Sequence, residues 1–153
     1  MLGLPYNYFA GGKMLNTLSS GLEDYIETIY IASENGKTLK GADLAREMNI
    51  SRASVSEALA KLVSKGLIKY NSYETIFLTE AGKEEARRVY AKHHILKDFF
   101  ENVLNINPDE ASKNACKIEH IISQSILDKM EKFSKFFSKH KQILEIYMEE
   151  SEK

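Results

Sequence analysis

Several features that would place the chain in a membrane or outside the cell are missing from the sequence. No apolar run reaches the roughly 20 residues that span a bilayer, and the first residues lack the basic and apolar blocks of a signal peptide. The single cysteine, Cys116, excludes an internal disulfide framework and fits a reducing compartment. Only two prolines and eight glycines occur in 153 residues, which favours long helices over disorder. We therefore predict a cytoplasmic protein with no membrane partner.

An overall excess of either charge is also missing, because the net charge is −1, yet the charges are unevenly distributed. Between Lys37 and Lys69, seven basic and three acidic residues give a net charge of +4, so the remainder carries −5. A basic segment within an acidic chain predicts a local surface for a polyanion such as DNA. A solvated surface of mixed charge is the alternative that charge alone leaves open.

Hydrophobic periodicity predicts the order helix, helix, turn, helix and hairpin in the first half of the chain. Apolar residues recur every three to four positions in three runs, and two β-rich runs flank a turn. The predicted helices cover residues 22–33, 41–48 and 51–65, and the hairpin covers 67–70 and 75–78. The expected buried stripe of the third helix is Val55, Leu59, Leu62 and Val63. This order is that of a winged helix-turn-helix. In such a domain, the second helix of the helix-turn-helix pair lies in the major groove of DNA.

The start of the third predicted helix has the chemistry of a DNA contact. Its short hydroxyl side chains permit close approach, Arg52 suits phosphate or guanine, and a helix N-terminus favours phosphate. Serine at a helix start is also an ordinary cap, and winged helices also dock proteins, but the local positive charge favours DNA. The predicted DNA-binding residues are Lys40, Ser51, Arg52, Ser54, Ser56, Glu57, Lys61, Lys69 and Tyr73.

The second half of the chain is predicted to be helical throughout. A long helix covers about 79–104, and Asn107-Pro108 is a strong helix start because it combines a cap with proline at the first position. Further helix follows, with breaks expected near Ser123 and Ser138. We therefore predict a mainly α protein with three parts: a flexible arm at 1–20, a winged helix-turn-helix domain at 21–79 and an all-helical domain at 80–153.

Three groups of side chains outside the reading helix have the chemistry of transition-metal ligands. They are Asp24 and Glu27 on the first helix, His93 on the long helix, and Cys116, Glu119 and His120 on the next helix. The first pair is three residues apart, and the last three residues follow at i, i+3 and i+4, so each group shares one helix face. Each group also has an ordinary structural explanation, namely a solvated acidic face, a core histidine and a cysteine that fills apolar space.

Taken together, these motifs resemble the diphtheria-toxin-repressor family of metal-dependent transcriptional regulators. The resemblance covers about residues 22–137 and includes the run E-D-Y-I-E-T-I-Y from Glu23, the winged helix, Lys92-His93 and the run C-K-I-E-H from Cys116. The opening D-Y-I-E is most similar to the manganese-transport-regulator branch, which has two domains and no SH3-like domain. The resemblance implies that the helical domain binds metal and dimerises.

The metal ligands that the resemblance implies are Asp24, Glu27, His93, Cys116, Glu119 and His120. Cys116 departs from the manganese branch, which has glutamate there, whereas Asp24 departs from the iron branch, which has methionine. Carboxylate and imidazole suit Mn²⁺ or Fe²⁺, and a thiolate favours Fe²⁺, Zn²⁺ or Co²⁺. We predict Fe²⁺ or Mn²⁺ as the cofactor, with Zn²⁺ and Co²⁺ as further candidates.

The implied function is that of a repressor without enzymatic activity. Loaded with metal, the homodimer would bind palindromic, double-stranded operator DNA and control metal-uptake genes. The expected dimerisation residues are Ile95, Phe99, Val103, Ile118, Ile121 and Ile122. The alternative is a winged-helix regulator that senses an organic small molecule and has no metal switch. Catalysis by Cys116 and His120 is disfavoured because no glycine-rich or oxyanion-forming loop adjoins them.

Overall fold

A computed structural model of the chain describes residues 18–72 and 74–151. Seven helices and two short strands occur in these residues. They are α1 (Ser20–Glu34), α2 (Gly41–Glu47), α3 (Arg52–Ser64), β1 (Ile68–Lys69), β2 (Phe77–Leu78), α4 (Glu80–Asn102), α5 (Pro108–Ile118), α6 (Gln124–Ser138) and α7 (Lys141–Ser151). The predicted mainly α fold class is therefore confirmed. Tyr73, and the predicted arm up to residue 17, lie outside the described residues.

The chain divides into two compact units, Met1–Arg88 and Val89–Lys153. The boundary between the units falls inside α4. The first unit contains the winged helix-turn-helix elements, and the second contains the remaining helices.

The core of the first unit is formed by apolar residues that repeat at helical spacing. Ile26 of α1, Leu44 of α2 and Leu59 of α3 are fully buried. The predicted stripe of α3 is correct for Val55, Leu59 and Leu62, and Ala58 joins it. Val63 was wrongly included, because its side chain is 40% exposed. Successive helical residues point about 100° apart, so a stripe centred near Leu62 leaves Val63 at its margin.

The ends of α3 follow directly from the local sequence. The Ser51 hydroxyl caps the helix by accepting a hydrogen bond from the Ser54 backbone N–H at 3.1 Å. Gly66 follows the other end with φ of +70°, a conformation that glycine adopts without a steric penalty. These two residues fix the length of the helix that was predicted to read DNA.

The wing is a small antiparallel hairpin that is tied to the start of α4. Ile68 pairs with Leu78 and Lys69 pairs with Phe77. The Thr79 hydroxyl donates to the Gly66 carbonyl at 2.7 Å and accepts from the Gly82 N–H at 3.0 Å. A Cβ atom on Gly82 would lie 1.9 Å from the Leu67 carbonyl oxygen. The first turn of α4 thus packs against the backbone beside β1 at a distance that only glycine permits.

The second unit is built around a helical core. Leu96, Ala115 and Leu127 are fully buried at its centre, and the residues packed against them are Ile95, Phe100, Ile118, Ile122 and Met130. The predicted start of α5 is correct, since the Asn107 side chain accepts from the Glu110 N–H at 3.0 Å and Pro108 is the first helical residue. The helices also break at the two predicted places, around Ser123 and just after Ser138.

Much of the apolar surface that the sequence assigned to dimerisation is used inside the second unit. Val103 is only 6% exposed, and Ile95, Ile118 and Ile122 pack against the core. Ile121, in contrast, is 83% exposed. Other large apolar side chains of α6 are about half exposed, namely Ile126, Phe133 and Phe136. The exposed apolar side chains of this unit therefore lie on α6 and the turn before it, and also on α7, where Ile146 is 56% exposed.

Candidate metal centre and DNA-binding surface

Glu119 is a charged residue whose side chain is completely buried. Helix α5 ends at Ile118, and Glu119 caps it in a right-handed helical conformation with its N–H bonded to the Ala115 carbonyl at 2.9 Å. Because the backbone continues the helical turn through this cap, Cys116, Glu119 and His120 keep the spacing expected from the sequence. Glu119 is 0% exposed.

His93 of α4 holds one oxygen of this carboxylate. Its Nδ1 lies 2.7 Å from Glu119 Oε2, and its side chain is 18% exposed. A carboxylate can only accept, so beside an ionised Glu119 a neutral His93 carries its proton on Nδ1, and its Nε2 is then an acceptor. Pairing of this kind, with one ring nitrogen bonded to a carboxylate, orients histidines that ligate metals.

Ser112 is a member of this cluster that sequence reasoning did not include. Its Oγ lies 3.4 Å from His93 Nε2, so the hydroxyl can donate weakly to that nitrogen. Ser112 precedes Cys116 by four residues and therefore lies on the same face of α5. That spacing was the signal available in the sequence.

The second oxygen of Glu119 is the unusual feature of the cluster. His120 Nε2 is 3.5 Å from Oε1, and within residues 18–72 and 74–151 no group forms a hydrogen bond with this oxygen. An unsatisfied buried polar atom costs about 1–3 kcal/mol, and more if it is charged. A divalent cation would remove this cost, and a carboxylate flanked by two imidazoles is a donor set that suits Fe²⁺ or Mn²⁺. The residues present therefore fit a metal ion.

The remaining predicted ligands differ in exposure. Cys116 is exposed on α5. In the first unit, Asp24 is partly exposed, whereas Glu27 is only 9% exposed, so a solvated acidic face does not describe Glu27. The Thr28 hydroxyl donates to the backbone carbonyl of Asp24 at 2.8 Å.

Tyr25 connects the electrostatics of α1 and α3 in the first unit. Its pKa is raised, mainly by burial and further by the negative charges of Glu57 and Asp24. Both effects disfavour the phenolate, so Tyr25 is neutral at physiological pH. Glu57 of α3 therefore interacts electrostatically with Tyr25 of α1, and Tyr25 follows the predicted metal ligand Asp24 in the sequence.

The predicted DNA-binding side chains that the structure describes are all exposed. Those on α3 and at its cap are Ser51, Arg52, Ser54, Ser56, Glu57 and Lys61. Lys40 caps α2 and its backbone N–H donates to Asp43 at 3.0 Å, while Lys69 lies on β1. The wing and the start of α2 meet through a backbone bridge between Lys40 and Thr75.

Two of these residues are paired on the exposed face of α3. Lys61 Nζ donates to Glu57 Oε1 at 2.7 Å. This hydrogen bond, together with the positive charge of Lys61, lowers the pKa of Glu57. Glu57 is therefore a carboxylate at neutral pH, on a surface predicted to meet a polyanion.

A winged helix-turn-helix followed by a helical unit with a cluster of side chains that could hold a metal ion is typical of metal-responsive DNA-binding regulators. Sequence models of one family match both halves of the chain. The iron dependent repressor N-terminal DNA binding domain matches residues 17–76, and the iron dependent repressor metal binding and dimerisation domain matches residues 79–148. The chain belongs to the iron-dependent repressor family. The predicted family, and the predicted partners DNA, divalent metal and a second subunit, are thereby confirmed.

Curated relatives extend over nearly the same length as this chain. An uncharacterized HTH-type transcriptional regulator of Methanocaldococcus jannaschii is 37% identical over 121 residues, which cover 78% of this chain and 97% of the relative. The HTH-type transcriptional regulator MntR of Listeria innocua is 27% identical over 128 residues, covering 84% and 89%. These relatives are named as transcriptional regulators, and they give no support to the alternative of an organic-molecule sensor.

Solved structures with the same fold include two manganese-responsive proteins. The manganese regulator SloR is 31% identical with a TM-score of 0.65, and the match covers 73% of this chain and 52% of SloR. A manganese-dependent transcriptional repressor in complex with manganese is 26% identical with a TM-score of 0.69, and the match covers 75% and 53%. This chain thus spans about half the length of those two proteins. Among its described helices, none is long and apolar enough to cross a membrane.

Proposed function

We propose that this chain is a repressor that binds palindromic operator DNA as a homodimer when loaded with Fe²⁺ or Mn²⁺, and that it controls genes for metal uptake. The observation that carries the metal dependence is the fully buried Glu119 carboxylate, one oxygen of which has no hydrogen-bond partner within the described residues. Binding to chromosomal DNA implies that it works in the cytoplasm. The similarity to the transcriptional regulator MntR and the manganese regulator SloR supports a regulatory role that involves metal.

The proposed metal ligands come from both units. His93, Glu119 and His120 form the cluster described above, and Cys116 stands one helical turn before Glu119. Asp24 and Glu27 on α1 complete the proposed set. A bound ion would supply positive charge that compensates the buried carboxylates, and residues of α1, α4 and α5 would hold it. Each residue of the set offers a donor atom of a type that divalent transition metals accept.

His93 prepares the proposed site before metal arrives. Its Nδ1 is hydrogen-bonded to Glu119, which fixes the orientation of its ring. The contact from the Ser112 hydroxyl to His93 Nε2 is weak at 3.4 Å, so little energy is lost if a metal ion replaces it. The ligand atoms are thus positioned by the protein, and less ordering is required when the ion binds.

The proposed regulatory principle is thermodynamic coupling between the metal site and the DNA-binding surface. Asp24 and Glu27 belong to the unit that carries α3, whereas the other four ligands belong to the second unit. An ion held by both sets favours one arrangement of two DNA-binding units in the dimer over the others. By linkage, metal tightens DNA binding and DNA tightens metal binding by the same factor.

The proposed dimer uses the second unit. Ile121, Ile126, Phe133 and Phe136 expose apolar surface there, and burial of such surface drives association. A twofold dimer presents two copies of α3, which is why the proposed operator is palindromic. In each half-site, α3 would enter the major groove while Lys40 and Lys69 contact the phosphate backbone.

The proposal is tested by selecting duplexes from a random-sequence DNA pool with the purified chain, once with MnCl₂ and once with EDTA. We expect one palindromic sequence to be enriched only with Mn²⁺, and Fe²⁺ under anaerobic conditions to replace Mn²⁺. Binding of the selected duplex by fluorescence anisotropy then gives the metal dependence of the Kd. Equal affinity with Mn²⁺ and with EDTA would rule out the metal switch, and enrichment of no sequence would rule out a specific repressor.

A further inference from the structure

The exposed face of α3 is unusual because its central long side chain is acidic. The buried stripe of α3 is Val55, Ala58, Leu59 and Leu62, and at 100° per residue Glu57 projects close to the opposite side. The neighbours of Glu57 on that face, at i−4, i−3, i+3 and i+7, are Ala53, Ser54, Ala60 and Ser64, all exposed. Apart from Lys61, the long side chain beside Glu57 on this face, its neighbours there are short. Glu57 therefore projects beyond them.

A carboxylate in this place opposes binding to DNA unless a base meets it with a donor. Phosphates repel it, and so do the acceptor atoms of the major groove, which are N7 and O6 of guanine, N7 of adenine and O4 of thymine. Only the amino groups of cytosine and adenine can donate to it. Glu57 therefore disfavours most base edges in the major groove and favours only those that present an amino group.

The ion pair with Lys61 further limits which base pairs the Glu57 side chain can bind. Glu57 Oε1 and Lys61 Nζ lie 2.7 Å apart, so an acceptor and a donor are presented side by side. A C·G pair presents the complementary arrangement in the major groove, because the cytosine N4 amine lies about 2.9 Å from the guanine O6 to which it is hydrogen-bonded. Guanine N7 adds a second acceptor on the side of Lys61, whose ammonium group has three donors.

An A·T pair fits the same two side chains less well. Its adenine N6 amine is flanked on one side by adenine N7 and on the other by thymine O4, both of which are acceptors. The Glu57 carboxylate would therefore face two acceptors, and Lys61 can compensate only one of them. In a C·G pair the amine stands at the edge of the pattern and has a single acceptor neighbour, which Lys61 meets.

We propose that Glu57 and Lys61 act together as the reader of one C·G base pair in each half-site, with Glu57 accepting from cytosine N4 and Lys61 donating to guanine. The inference rests on the proposed function, in that α3 is taken to enter the major groove. Specificity then arises from repulsion of the wrong bases as well as from attraction to the right one. In free protein, Glu57 is paired with Lys61.

The test is the selection from random duplexes in MnCl₂, carried out with wild type, Glu57→Gln and Glu80→Gln. Glu80 on α4 is the matched control because it also forms an exposed ion pair with a lysine, Lys83, at 2.9 Å. We expect wild type and Glu80→Gln to select the same sequence with a C·G pair at one position of each half-site. A glutamine pairs best with adenine N6 and N7, so Glu57→Gln is expected to change that position to A·T.

The size of the preference for C·G is measured from the affinities for single-base-pair variants of the selected duplex. Wild type is expected to prefer C·G over A·T at that position by about tenfold or more, and Glu57→Gln to lose or reverse this preference. Its affinity for a duplex of unrelated sequence is expected to rise. An unchanged sequence and preference in Glu57→Gln would overturn this inference alone. Failure of wild type to enrich any sequence would overturn the proposed function and this inference with it.

Discussion

Replacement of Glu119 by glutamine separates the cost of a buried carboxylate from its use as a metal ligand. The substitution keeps the shape of the side chain and removes its charge. In metal-free protein the amide oxygen can accept from the His93 Nδ1–H, in place of Oε2 at 2.7 Å. The amide nitrogen would take the place of Oε1, which lies 3.5 Å from His120 Nε2. At that distance the amide nitrogen gains no strong hydrogen bond, but, unlike the carboxylate oxygen that it replaces, it belongs to a neutral group.

The magnitude follows from the unsatisfied atom. A buried atom without a partner costs about 1–3 kcal/mol and more if it is charged, so removal of the charge is expected to make metal-free Glu119→Gln more stable than wild type, by about 1 kcal/mol or more. With metal bound, wild type is expected to be more stable than Glu119→Gln. An ion at about 100 times its Kd stabilises wild type by about 2.7 kcal/mol, whereas a variant that has lost a ligand gains little.

Urea unfolding of both proteins, with EDTA and with MnCl₂, measures these differences. Glu110→Gln on the same helix is the control: Glu110 is exposed in the first turn, so loss of its charge should weaken its interaction with the helix dipole by about 0.3–1 kcal/mol and leave the response to Mn²⁺ intact. The reasoning would be refuted if Glu119→Gln were less stable than wild type in EDTA and still gained the full stabilisation from Mn²⁺.

Two further predictions concern the DNA-binding unit. Alanine in place of a helical glycine usually stabilises by about 0.5–1 kcal/mol, but Gly82→Ala is expected to destabilise by about 1–3 kcal/mol or more, because its Cβ would overlap the Leu67 carbonyl oxygen at 1.9 Å; a gain in stability by urea unfolding would contradict the packing described. Ser51→Ala removes the cap on Ser54 and is expected to cost about 1 kcal/mol. Ser19→Ala is the matched control, since Ser19 precedes α1 and forms no side-chain cap bond within the described residues; equal losses in the two variants would contradict the capping role.

Features that depend on neighbouring residues in the chain could be predicted from the sequence. The caps at Ser51 and Asn107, the proline at the first position of α5 and the i, i+3, i+4 spacing after Cys116 are local, and the structure places them where periodicity indicated. The same is true of the breaks around Ser123 and after Ser138. Local rules succeed here because a helix start or end is decided by a few backbone groups and their immediate partners.

Features that depend on packing could not be predicted in the same way. Periodicity placed Val63 in the core of α3, but the width of a buried stripe depends on which helices pack against it. Cys116 and Glu119 share a helix face, yet one is exposed and the other is fully buried. The bond between His93 and Glu119 joins residues 26 positions apart, and no local pattern contains that distance.

The burial of Glu119 has a consequence for how such a fold responds to metal. A carboxylate on the surface has both oxygens satisfied by water before metal binds, so an ion there stabilises the protein only through its own binding and relieves no unsatisfied atom. A carboxylate that is buried with one unsatisfied oxygen makes the metal-free state less stable by the cost of that atom, and the cost disappears when a cation binds. Binding energy is then linked to the stability of the second unit, and with ligands on α1 it is linked to the DNA-binding unit as well. In the proposed repressor, therefore, the residue that weakens the metal-free protein is the same residue that couples metal to DNA, and variants that stabilise the metal-free state at this position should lose regulation.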